Sequence, residues 1–183
     1  MSVQKINPDA YVGDTGIQLK DLVEINNYIK SLKALSAVAC YRFSGSGSTD
    51  YVSGSYIPFT TKVFNAFDNQ ASPFNNVVSP NSDGTITINY TGWIEVSVNL
   101  WLYSGSNVMR PWVKVGIYNG GEYGESITSN SSYYQTVHIN KCLIPVTSGQ
   151  KIYVRVYTDN GTTCRVNAGS GNTIASWIHI KLA

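Results

Sequence analysis

The pattern of apolar positions divides the chain into a short helical segment and a long region of alternating strands. In residues 14–35, apolar side chains recur with the a and d spacing of a coiled coil, at Leu22, Ile25, Ile29 and Leu32. An amphipathic helix that lies on its own domain has a similar periodicity. The segment therefore predicts a helix, and we expect its apolar stripe to pack against the same helix of other copies as a short stalk.

Beyond the helix, apolar and polar residues alternate in runs that are separated by turn residues. The run WIEVSVNLWLY at residues 93–103 has Ile94, Val96 and Val98 on one face, with polar and aromatic residues on the other. The runs WVKVGIY, KIYVRVY and ASWIHIKLA repeat this alternation, and Asn119-Gly120-Gly121 supplies a hairpin turn. Many short strands with regular turns predict an all-β sandwich or jelly roll.

Aromatic side chains occupy the strand positions opposite the apolar face. Six of them, which would form a large apolar patch in a lone sandwich, are Trp101, Tyr103, Trp112, Tyr153, Tyr157 and Trp177. We expect these six rings to be buried between subunits.

Composition narrows the classes of partner. Thirteen basic and eleven acidic residues leave a net charge of +2 without a basic run, which argues against nucleic-acid binding. No stretch approaches the length of a membrane span, and the first ten residues lack the apolar segment of a signal peptide. We therefore expect a protein that is made in a cytoplasm and does not insert into membranes.

Motifs for chemistry are few. Neither His138 nor His179 belongs to a metal-binding or catalytic pattern, and the motif G-x-S-x-G does not occur. Glu122 and Glu125 could act on a glycoside or help to hold calcium, but a solvated hairpin tip accounts for them. We predict no catalytic residue, no metal and no cofactor, and expect the protein not to be an enzyme. Three cysteines without a close pair predict buried free thiols, with a Cys142–Cys164 bridge left open.

Three loops have the composition of recognition surfaces. Residues 44–56, 118–125 and 129–134 are rich in Tyr, Ser, Gly and Asn, and Tyr offers contact area at low entropic cost. The candidate ligand-binding residues are Tyr51, Tyr56, Tyr118, Glu122, Tyr123, Tyr133 and Tyr134. Their partner is expected to be a polar, low-charge molecule, such as a host-surface polysaccharide, or a protein.

The order of the strands resembles the globular head of complement's first component and of tumour necrosis factor. The resemblance covers residues 57–183. It begins in IPFTTKVFNAFDNQASPFNNVV, continues in LIPVTSGQKIYVRVY and ends in ASWIHIKLA. The residues that match the family's pattern are Phe59, Phe67, Asp68, Phe74, Gly92, Trp93, Gly149, Ile152, Val154 and Val156. It implies a ten-stranded jelly roll that forms a tight homotrimer through aromatic-rich sheet faces.

Bacteriophage fibre and tail-tip proteins use such heads behind a short helix. The resemblance thus implies an attachment arm in residues 1–13, a trimeric coiled-coil stalk in 14–35, a linker and first strand in 36–56, and the head in 57–183. We expect a virion protein whose arm binds other virion proteins and whose head binds a host receptor. The alternatives are a head fibre or decoration knob without an essential ligand, and a bacterial or spore-surface trimer.

Overall fold

The computed structural model of the protein contains two antiparallel β-sheets and one α-helix. It describes residues 19–35, 37–44, 48–70, 74–103, 110–127, 134–158, 163–169 and 175–183. The elements are α1 (Leu19–Leu35), β1 (Val38–Arg42), β2 (Ser48–Tyr51), β3 (Thr61–Asn65), a 3₁₀ turn (Ala66–Asn69), β4 (Val78–Pro80), β5 (Thr85–Ile88), β6 (Gly92–Tyr103), β7 (Pro111–Ile117), β8 (Glu122–Ile127), β9 (Tyr134–Val146), β10 (Gln150–Thr158), β11 (Cys164–Asn167) and β12 (Trp177–Leu182). The described residues thus contain twelve strands, two more than the resemblance implies.

The long strand β6 organises the seven-stranded sheet. It pairs with β9 along one edge and with β12 and β11 along the other. The strands β1 and β3 extend this sheet beyond β12, and β2 extends it beyond β11. The five-stranded sheet has the order β4-β5-β10-β7-β8. The strands β1 and β2, from the stretch predicted to be a linker and first strand, are therefore members of the seven-stranded sheet.

The core lies between the two sheets and is built from the alternating apolar positions. Ile94, Val96, Val98 and Leu100 of β6 are at most 1% exposed, as the alternation in WIEVSVNLWLY predicts. The strands β7 and β10 of the other sheet contribute valines and isoleucines to the same core. Full burial of such a side chain contributes about 1.5–3 kcal/mol, so both sheets are stabilised chiefly by each other.

The helix α1 presents most of its apolar stripe to solvent within a single chain. Ile25, Ile29 and Leu32 are 44–50% exposed, whereas Leu22 is half-buried. Both the predicted arm and the start of the predicted helix lie outside the described residues. No helix in the described part of the chain is long and apolar enough to cross a membrane.

All three cysteines are free and buried. The Cys142–Cys164 bridge that the sequence leaves open is therefore not formed. Burial raises the pKa of Cys164 to about 12 and that of Cys40 to about 11, so both thiols stay protonated at neutral pH.

Candidate binding surface

The outer face of the five-stranded sheet carries a cluster of aromatic and charged side chains around Arg155. We call it the Tyr–Arg surface. Strand β10 supplies Tyr153, Arg155 and Tyr157 from alternate positions, and β7 supplies Trp112 and Lys114, which are their neighbours in register. The remaining members, which come from connecting segments and from the start of β8, are Tyr56, Tyr118 and Glu122.

Arg155 is held between tyrosine rings. Its guanidinium carbon lies 4.6 Å from the centre of the Tyr56 ring and 4.7 Å from that of Tyr153, which is the geometry of cation–π contacts. One terminal nitrogen donates a hydrogen bond to the hydroxyl of Tyr157 at 3.0 Å, and the other donates to that of Tyr56 at 2.5 Å. The first of these hydrogen bonds is the main cause that raises the pKa of Arg155, so this side chain is always charged.

Backbone pairing brings Tyr56 to this surface. The segment before β3 runs beside β10, where the N–H of Ile57 donates to the carbonyl of Val154 at 2.9 Å and that of Gly54 donates to Val156 at 2.8 Å. Tyr56 forms an isolated bridge with Arg155. The position of the Tyr56 ring is therefore fixed by the sheet and does not depend on a free loop.

The charges on the surface are only partly compensated. Lys114 donates to Glu122 at 2.6 Å, and Glu122 also accepts a weak hydrogen bond from the hydroxyl of Tyr153 at 3.4 Å. Within the described residues, Arg155 pairs with no carboxylate, and its buried Nε–H has no hydrogen-bond partner. Among the described residues, the positive charge of Arg155 is thus balanced by phenol oxygens and ring faces and by no carboxylate.

The outer face of the seven-stranded sheet is aromatic in a different way. Trp177 stacks on His179 with ring centres 4.2 Å apart, and Phe64 lies 6.2 Å from the same imidazole. Burial among these rings lowers the pKa of His179. Trp93 and Leu143 on this sheet are each 53% exposed. This face therefore exposes large apolar side chains, next to the charged residues Arg42, Glu95 and Lys181.

The structure divides the six residues predicted for a subunit interface between these two faces. Trp101, Tyr103 and Trp177 belong to the seven-stranded sheet, whereas Trp112, Tyr153 and Tyr157 belong to the five-stranded sheet. Tyr153, which the sequence placed on an outward face, is only 4% exposed in the single chain. Its neighbours on the Tyr–Arg surface already cover it.

The residues predicted to bind a ligand are divided as well. Tyr56, Tyr118 and Glu122 meet on the Tyr–Arg surface, with the rings of Tyr56 and Tyr118 6.0 Å apart. Tyr51 instead packs edge-on against the core residue Phe43. Tyr133 and the side chain of Tyr134 lie outside what the structure describes. Arg155 and Lys114 were not predicted, although the alternation YVRVY contains a signal, namely a charged residue between two tyrosines on one strand face.

Tyr123 lies in a separate groove between the edge strands β8 and β9. The groove has a volume of about 510 Å³ and is also lined by Glu125, His138, Asn140 and Lys141. Of the two acidic residues that the sequence singled out in this hairpin, Glu122 pairs with Lys114 and Glu125 lines the groove together with His138 and Lys141. In the described part of the chain, no three His, Cys, Asp or Glu side chains form a group that could hold a metal ion.

Comparisons with known proteins agree with this architecture. No family model matches the chain, and no curated protein matches it. Among solved structures, Eiger TNF from S. frugiperda is 16% identical with a TM-score of 0.52, and the match covers 80% of this chain and 92% of that one. Murine APRIL is 13% identical with a TM-score of 0.52, covering 80% and 98%. The globular domain of zebrafish complement 1qA is 12% identical with a TM-score of 0.48, covering 80% and 96%.

These identities establish a likeness of fold. Element order, two antiparallel sheets and the solved structures together show an all-β jelly-roll sandwich of the tumour necrosis factor type.

Proposed function

We propose that this chain is a non-enzymatic recognition head that forms a homotrimer and binds a cell-surface ligand through the Tyr–Arg surface. The observation that carries the proposal is Arg155, a charge held between Tyr56 and Tyr153 without a carboxylate partner among the described residues. Rigid tyrosines beside polar groups favour recognition, because they offer contact area at a small cost in conformational entropy.

The two aromatic faces suggest two different roles, contact between subunits and binding of a ligand. Burial between subunits gains hydrophobic free energy from exposed apolar side chains, such as Trp93 and Leu143 on the seven-stranded sheet. Covering the Tyr–Arg surface would instead desolvate Arg155, which has no carboxylate partner among the described residues. We therefore infer that the trimer contacts involve the seven-stranded sheet, with Trp101, Tyr103 and Trp177, and leave the Tyr–Arg surface in water. The stripe of Leu22, Ile25, Ile29 and Leu32 would continue the threefold axis as a stalk.

A pair of tryptophan substitutions tests this division. Trp177→Ser should shift the protein from trimer toward monomer at micromolar concentration, because each subunit loses a buried ring worth about 2–3 kcal/mol. Trp112→Ser, on the opposite sheet, should leave the trimer intact. Sedimentation equilibrium measures both, and far-UV circular dichroism checks that the variants are folded. A monomeric wild type, or dissociation by Trp112→Ser alone, contradicts the assignment.

The specific setting that we propose is a bacteriophage fibre or tip that attaches to a host surface. Sequence features support it: the helix ahead of the head, the composition rich in Ser, Asn, Tyr and Gly, and the resemblance to heads used in such fibres. Residues 1–13 would then join other virion proteins. A knob without an essential ligand and a bacterial or spore-surface trimer are the alternatives.

Cell binding tests the recognition role. Labelled full-length protein should adhere to some members of a panel of bacterial cells, and each site should be weak, about millimolar or ~4 kcal/mol, with three sites acting together. Tyr118→Ala should remove most of this binding. Tyr123→Ala is the matched control, because Tyr118 and Tyr123 are 42% and 43% exposed but only Tyr118 belongs to the Tyr–Arg surface.

Two outcomes would overturn this proposal. Adhesion to no cell in the panel would favour the structural knob. Loss of adhesion in Tyr123→Ala but not in Tyr118→Ala would move the binding site to the groove between β8 and β9.

A further inference from the structure

We infer that the Tyr–Arg surface recognises the carboxylate of an acidic saccharide, such as a uronic or sialic acid residue, through Arg155, Tyr56 and Tyr157. The inference rests on the proposed function and names the class of ligand. It replaces the low-charge ligand that the composition predicts with an anionic one.

The first argument is the distribution of ion pairs. Five cations of the described residues, Lys62, Lys114, Lys141, Lys151 and Arg165, each lie within 4.0 Å of a carboxylate. Arg165 is the closest comparison to Arg155, because it also lies near a tyrosine ring, 5.9 Å from the centre of Tyr103. Arg165 has Asp50 as a partner at 2.5 Å. Arg155 lacks such a partner in the described part of the chain, as Arg42 and Lys181 do, but its guanidinium is also fixed between two tyrosine rings. An incoming carboxylate would supply the missing charge at this fixed position.

The second argument is the direction of the hydrogen bonds. The hydroxyls of Tyr56 and Tyr157 both accept from the Arg155 guanidinium, which leaves each phenol proton available for donation to another group. The two terminal nitrogens of Arg155 each keep a second N–H as well. The site therefore offers a set of donors on both sides of a positive charge. Such a set suits the two oxygens of a carboxylate, since charge-assisted hydrogen bonds are the stronger ones.

The third argument concerns what surrounds the charge. The Trp112 ring stacks on Tyr157 with an angle of 9° between the planes, and the exposed Tyr118 ring lies beside Tyr56. Flat rings that border a carboxylate site suit the C–H face of a pyranose. The ion pair of Lys114 and Glu122 adds both a donor and an acceptor for sugar hydroxyls. An acidic peptide could pair with the Arg155 charge, but it has no pyranose ring to stack on these aromatic side chains.

Binding to defined saccharides tests the inference. The full-length protein is titrated with oligogalacturonate and with sialyllactose, and each is compared with its carboxyl-reduced form. We expect the carboxylated probes to bind at least tenfold more tightly than the reduced ones. Polyglutamate is the probe for an acidic peptide, and dextran sulfate is the probe for general attraction of anions.

Three variants separate recognition from general charge. Arg155→Gln should abolish the preference for carboxylated over reduced saccharide. Tyr56→Phe and Tyr157→Phe keep the rings but remove one donor each, so each should weaken carboxylate binding by about three- to tenfold. Arg165→Gln is the matched control and should bind like the wild type, because it removes the same charge from the other sheet.

The outcomes distinguish this inference from the proposed function. Equal binding of carboxylated and reduced saccharides, tighter binding of polyglutamate or dextran sulfate than of both saccharides, or equal effects of the two arginine variants would overturn the assignment of an acidic saccharide. If in such a case Tyr118→Ala still removes cell binding, the recognition role stands and only the ligand class is wrong. If the wild type binds neither cells nor any probe, both proposals fail. If Arg155→Gln does not fold, the carboxylate preference of Tyr56→Phe and Tyr157→Phe tests the inference instead.

Discussion

Replacement of Leu100 by alanine should lower the free energy of unfolding by about 3–4 kcal/mol. Leu100 lies on β6, the strand that joins β9 to β12 and β11, and its side chain is fully buried between the two sheets. The truncation removes apolar contacts and leaves a cavity that the paired strands on both sides prevent from collapsing. Urea denaturation followed by tryptophan fluorescence measures the loss.

Leu143→Ala is the matched control for this prediction. Leu143 belongs to β9 on the same sheet but is 53% exposed on the outer face, so the same chemical change should cost less than about 1 kcal/mol in the isolated subunit. A similar loss for both leucines at low protein concentration would contradict the assigned core. A loss for Leu143→Ala that grows with protein concentration would instead indicate that Leu143 lies between subunits.

Replacement of Gly116 by alanine should disturb the fold and the Tyr–Arg surface together. A Cβ atom at Gly116 would lie 2.7 Å from the Tyr153 hydroxyl and 2.8 Å from the carbonyl oxygen of Gly121. That carbonyl accepts the N–H of Ile117 in the β7–β8 hairpin, so the backbone has to move as well as the side chain. Overpacking of this kind costs about 1–3 kcal/mol. We also expect binding through the Tyr–Arg surface to fall, because the displaced Tyr153 ring supports Arg155.

Gly121→Ala tests the same hairpin without the clash. The nearest atom to a Cβ at Gly121 is 3.5 Å away, in the Tyr123 ring, which is an ordinary contact. Unfolding experiments should therefore find Gly121→Ala close to the wild type and Gly116→Ala clearly less stable. If Gly116→Ala is as stable as the wild type and binds cells equally well, the close approach of Tyr153 to β7 is wrong.

The side chains of the Tyr–Arg surface are held in place by paired strands. Arg155 and Tyr153 alternate along β10, and the backbone of Tyr56 is paired with the same strand. A binding site on such rigid elements loses less conformational entropy when it meets a ligand than a site on free loops does. In the proposed trimer, such rigid sites would act together and strengthen attachment.

The sequence by itself determined the helix and the inward faces of four strands, β6, β7, β10 and β12. Period-two alternation identified the buried positions of β6, because successive side chains of a strand point to opposite sides whatever the strand pairs with. The turn at Asn119-Gly120-Gly121 was predicted from residue type and is confirmed as the β7–β8 hairpin, with Asn119 at a positive φ of 58°. Local periodicity also predicted a helix in residues 14–35, and α1 (Leu19–Leu35) lies within that segment.

Only the tertiary structure decided which outward residues meet. Alternation assigns a ring to the outer side of its strand, but it does not say which sheet the strand joins. Only the structure shows that Trp177 and Trp112 lie on different sheets. Pairing over long distances in sequence placed Tyr56 against Arg155, which is 99 residues further along the chain. No local pattern records such a contact, because it forms only when the segment before β3 pairs with the distant strand β10. For that reason the sequence predicted some residues of the candidate site, namely Tyr56, Tyr118 and Glu122, but not that they lie together around Arg155.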